Sequence, residues 1–64
     1  MSRSEALRLA YTDLELARLR VMRAIEYMRT GHSLSADDCA EDVVQQLAKI
    51  SARLHRAFGI KEAS

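Results

Sequence analysis

The string GHSLSADDC carries side chains from which nucleophilic catalysis is built: His32, Ser33, Ser35, Asp37, Asp38 and Cys39. A triad takes an imidazole as base, a hydroxyl or thiol as nucleophile and a carboxylate that orients the base. It also needs these groups held together beside oxyanion donors in a pocket. A chain of 64 residues that reads as two helices has little material for such a pocket. The same residues are explained as a helix stop, a turn and a helix cap, so no enzymatic activity is expected and no catalytic residue is assigned. His55 lies near the end of the second helix, on the flank of its apolar seam, where packing or the helix dipole suits an imidazole. His32, His55 and Cys39 share no ligand-like spacing such as CxxC or HxxxH. A closed zinc site would therefore need ligands from several chains, and neither metal nor cofactor is expected.

The elements that hold these residues are legible from their boundaries. There is no Pro, and each of the two Gly, Gly31 and Gly59, follows a long apolar-periodic segment and reads as a helix stop. Ser2 with Glu5 fits a capping box, so a first helix is expected over about 3–30. Ser35 with Asp38 fits a second box, with Leu34 and Cys39 placed to close a hydrophobic staple, and a second helix is expected over about 36–58. Ile60 is expected to fold back on Leu54 or its neighbours past Gly59. So short a connection forces an antiparallel hairpin, one all-α domain over 1–64. Leu7, Ala10, Leu14, Ala17, Val21, Ala24 and Met28 form an unbroken 3-4 seam on the first helix. Ala36, Ala40, Val43, Leu47, Ile50, Leu54 and Ala57 form another on the second. Tyr11 and Ile25 widen the first seam, and Val44 and Phe58 the second.

The first helix has a second apolar side. At 100° per residue the seam falls within about 80° either side of Leu14, while Leu9, Leu16, Leu19 and Tyr27 fall roughly 140° to 160° away, among Arg8, Arg20 and Arg23. Opposite the second helix's seam stand Asp38, Asp42, Gln45, Lys49, Arg53 and Arg56, which read as a solvated face. Burying four large apolar side chains is worth roughly 1.5–3 kcal/mol each, so the stripe calls for a partner. Two occupants fit Leu9, Leu16, Leu19, Arg20, Arg23 and Tyr27: the helix of a second copy, or a different protein docked on apolar anchors rimmed by arginine; simple surface exposure is the third reading. Arg18, about 40° from Leu14, intrudes on the apolar sector, where its stem can lie along the core with its head paired to Glu15 of another chain or lying in water, hydrogen bonding to a target being the alternative.

Size makes association necessary in either case. One core in so short a chain rarely supplies more than about 3–5 kcal/mol, and the lone Cys39 excludes an internal disulfide. A homodimer forming a four-helix bundle is the natural supplement. The formal net charge of +1 gives no general case for nucleic acid, though residues 1–30 hold six Arg against four acids. No apolar run approaches a membrane span and the N-terminus lacks a signal-peptide core, so a cytoplasmic protein is expected.

The uninterrupted Leu/Ala seams, the short turn, LSAD opening the second helix and RAFG closing it resemble the Rop family. That resemblance implies hairpins dimerised into a four-helix bundle that binds paired RNA loops. The family binds RNA through polar and basic residues and an exposed Phe on helix 1. Here that surface carries leucines with Arg8, Arg20 and Arg23, so those residues do not carry over. In size, two-helix dimeric plan and Arg/Leu-rich first helix, the chain is also similar to phage-encoded anti-activators of quorum sensing, which bind and block LuxR-type transcription factors. In the two-helix aspartyl-phosphate phosphatases, a third comparison, an acidic residue follows a Ser-Gln-Glu-Leu string. Here SARLH puts His55 in its place, against that activity. The expected function is that of a small non-enzymatic regulator, of phage or mobile-element type, that inhibits a larger bacterial protein through helix 1. The alternatives are a Rop-like RNA binder and a purely structural oligomerisation module.

Overall fold

The computed structural model describes residues 1–60, which form two antiparallel helices, α1 (Arg3–Arg29) and α2 (Ser33–Phe58), packed against each other with no strand among them. The Ser2 side chain accepts the Glu5 backbone N–H at 3.1 Å, so the expected first cap is formed. At the other end Gly31 takes φ 78°, a left-handed conformation that costs glycine nothing. This lets the His32 N–H donate to the Tyr27 carbonyl at 2.8 Å and the Gly31 N–H to that of Met28 at 3.4 Å, the paired bonds of a Schellman stop. Gly59, at φ 63°, closes α2 the same way, with the Ile60 N–H on the His55 carbonyl at 3.0 Å, although the Ile60 side chain stays exposed.

The turn is tighter than the capping pattern predicts. α2 begins at Ser33, three residues before the expected start, and its N-cap is His32, which makes no side-chain cap bond. Ser35 is inside the helix and Leu34 is exposed, so neither the second capping box nor the staple on Cys39 forms. The His32 backbone instead serves both helices. Its N–H ends α1 and its carbonyl accepts the Ala36 N–H at 3.1 Å. The ring is fixed by Thr30 Oγ1, 2.8 Å from Nδ1, and by an edge-on contact with Tyr27 at 6.2 Å between centroids.

The larger correction concerns which side of α1 meets α2. The buried side chains are Ala6, Ala10, Ala17, Ala36 and Ile50, at 0–7% exposure, and no large side chain is fully enclosed. The contact thus runs along an alanine row set about 40° to 80° to one side of Leu14. Alanines let two helices approach closely but bury little area each. The large residues expected in the seam, Leu7, Leu14, Val21 and Met28 on α1 and Leu47 on α2, remain exposed on the flank. Two cross-helix ion pairs fix the register. Arg20 Nη1 lies 2.9 Å from Asp42 Oδ2, and Arg53 Nη1 lies 2.7 Å from Asp13 Oδ2. Near the open end of the hairpin the Arg3 guanidinium sits 5.4 Å from the centre of the Phe58 ring.

Candidate protein-binding surface

Rotation of α1 onto its alanine row leaves a flat hairpin with two different faces. On the first, Leu7, Tyr11, Leu14, Val21, Ile25 and Met28 of α1 stand beside Val44 and Leu47 of α2, all exposed. Towards the turn this face opens into a groove of about 480 Å³ between Val21, Ile25 and Met28 on one side and Ala36, Ala40 and Val44 on the other, with Asp37 at its edge. Arg18 is the one cation in the middle of the α1 strip. It meets Glu15 of its own helix at 3.8 Å, with both side chains largely in solvent at 67% and 53% exposure.

The second face belongs to the stripe expected to bind a partner. Leu16, Leu19, Arg20, Arg23 and Tyr27 line one shallow cleft of about 280 Å³, which Cys39 of α2 completes. Leu9 is exposed but lies outside that cleft. The structure therefore brings five of the six expected site residues together. Arg20 does not have the expected freedom, because Asp42 holds its guanidinium. Arg23 makes no ion pair among the described residues and is the available cation of this cleft.

Beside it the face turns polar. Asp13, Arg20, Asp42, Gln45, Gln46, Lys49 and Arg53 surround a cleft of about 310 Å³ between the helices. Asp42 and Arg53, expected on a solvated face, instead bridge to α1. The Asp13 and Arg53 side chains are only 23% and 24% exposed, so this pair is shielded more than an ordinary surface bridge. Sequence reading missed both bridges because they depend on the register between helices. The available signal was opposite charge on residues equally far from Gly31, as Arg20 and Asp42 are.

No group of His, Cys, Asp or Glu among the described residues is placed to hold a metal ion. None of their helices is long and apolar enough to cross a membrane. His32 and Cys39 serve the turn and the edge of a cleft respectively. The architecture is that of an antiparallel two-helix hairpin. No known protein family, no curated protein and no solved structure matches the chain.

Proposed function

We propose that this chain is a small, non-enzymatic regulatory protein that self-associates and, through helix α1, binds and inhibits a larger bacterial protein such as a transcriptional activator. The observation that carries the reading is the imbalance of burial. Five side chains are buried, four of them alanine, whereas fifteen large apolar side chains are 40–79% exposed. A hairpin with so little interior gains most by covering its apolar faces with other chains. One of the two faces can serve a second copy and leave the other for a target. The cleft of Leu16, Leu19, Arg23 and Tyr27 suits the target, with apolar and aromatic anchors beside a free guanidinium able to grip a carboxylate. Inhibition is then occlusion: α1 covers a groove or dimerisation surface that the target needs.

The Rop-like alternative, RNA bound by Arg8, Arg20 and Arg23, is weakened by Asp42 neutralising Arg20. The test is affinity capture from nuclease-treated bacterial lysate with the intact chain and with the Leu16→Glu, Arg23→Glu variant. A specific bacterial regulator retained by the first and lost by the second, and then inhibited by the pure chain in reconstitution, is the expected result. Binding abolished by nuclease, and falling steeply with salt as phosphate contacts require, would overturn it in favour of RNA.

A further inference from the structure

The first face has the composition and charge layout of a contact with a second copy of this chain, and on the reading that the protein self-associates, these features point to its geometry. We infer that two hairpins stack through this face about a two-fold axis perpendicular to the helices, so that α1 runs antiparallel to α1 of the second copy, crossing near Leu16, with Arg18 of each chain on Glu15 of the other.

Area is the first argument. A folded monomer of 7.2 kDa exposes roughly 4,100 Å². This hairpin exposes 5190 Å², an excess of many hundreds of Å². A standard interface removes about 800 Å² from each partner, so one more copy on one face removes most of that excess.

Pattern is the second. Taken about Leu16, Leu7 of the α1 strip falls opposite Ile25 and Tyr11 opposite Val21, while Leu14 falls opposite Arg18 and Met28 opposite Ser4. At 100° per residue Ala40, Leu47, Ser51, Leu54 and Phe58 of α2 fall within about 80° of Val44, and about Lys49 each pair matches a smaller with a larger side chain: Ala40 with Phe58, Val44 with Leu54, Ser51 with Leu47. On α1 Leu16 lies between Asp13 and Arg20, and on α2 Lys49 lies between Arg53 and Asp42, the partners in the two cross-helix pairs, so the two centres fall in the same stretch of the hairpin. A single axis therefore serves both helices. A two-fold contact requires this self-complementarity of one patch.

Charge is the third. Arg18 and Glu15 straddle the crossing point, and within one chain they reach each other only at 3.8 Å, the longest of the four ion pairs among the described residues. In antiparallel packing like flanks of the two helices meet, which puts Arg18 beside Glu15 of the second copy, twice per dimer. The apolar strip supplies the affinity, and this pair selects the antiparallel direction. Parallel helices would set arginine against arginine.

Sedimentation equilibrium of the full chain tests the assignment. The intact protein is expected at twice the chain mass. Leu14→Glu, at a position already exposed in the hairpin, is expected to give a monomer whose circular dichroism remains helical, while Leu16→Glu on the other face leaves the dimer intact. Arg18→Glu alone and Glu15→Arg alone should each weaken the dimer on the order of ten- to a hundredfold, and the two together should bring it back to within about threefold. A dimer that survives Leu14→Glu but is broken by Leu16→Glu overturns the face while leaving self-association standing. An intact chain that stays monomeric at high micromolar concentration overturns self-association as well. A charge swap that fails to restore the dimer overturns the antiparallel crossing.

Discussion

The two faces of this hairpin are built from the same first helix and differ in what the second helix sets beside it. On one, Val21, Ile25 and Met28 meet Ala40 and Val44, and apolar surface continues from helix to helix. On the other, Leu16, Leu19 and Tyr27 line a cleft that shares Arg20 with a polar one spanned by Arg20–Asp42 and Asp13–Arg53. A continuous apolar face can become the inside of a larger bundle. A face already crossed by ion pairs cannot be dried without a large desolvation cost, so it suits a smaller, partly wet contact. An exposed leucine thus carries different information depending on its neighbours across the hairpin.

Substitutions can separate the faces. The largest effect is expected from Val21→Glu, which sets two carboxylates into the proposed dimer contact. It should abolish self-association at micromolar concentration and remove the concentration dependence of thermal unfolding, whereas Leu19→Glu should preserve both. Next comes the seam between the faces. Ala17 is 5% exposed in the close helix contact, so Ala17→Leu overpacks it and should lower stability by about 1–3 kcal/mol in chemical denaturation. The volume-conserving change Leu14→Ile, at a position 48% exposed, should be nearly silent there. The shielded bridge of the polar face comes third. Asp13→Asn should cost on the order of 1 kcal/mol, with Arg20→Ala costing less because its pair is more exposed, and rising salt should shrink both differences. Smallest of all is Arg23→Ala, which should leave unfolding and dimer mass unchanged and appear only as weaker binding of the target protein. A stability loss there would assign Arg23 to the hairpin.

The helices themselves were legible because their signals are local. Ser2, Gly31 and Gly59 act on the backbone within a few residues, and each does in the structure what its type and position imply. The second start was misplaced by the same reasoning. Ser35 and Asp38 imitate a capping box, but the Schellman turn delivers the chain already helical at Ser33, and His32 becomes the cap. Of the candidate site, the stripe of Leu16, Leu19, Arg23 and Tyr27 was visible as a second apolar side of α1, and the structure gathers it around one cleft. The engagement of Arg20 by Asp42 was not, since it joins residues on different helices.

The sequence by itself determined two amphipathic helices, their stops and the antiparallel turn, and that α1 has more apolar surface than one partner helix can cover. Only the tertiary structure decided which part of that surface meets α2. With apolar residues on both sides of the alanine row, periodicity gives an arc and no preferred centre. The rotation of one helix on the other is set by close approach along Ala6, Ala10 and Ala17 and by the cross-helix pairs Arg20–Asp42 and Asp13–Arg53. Those are distances between helices, and they do not exist until both helices are packed.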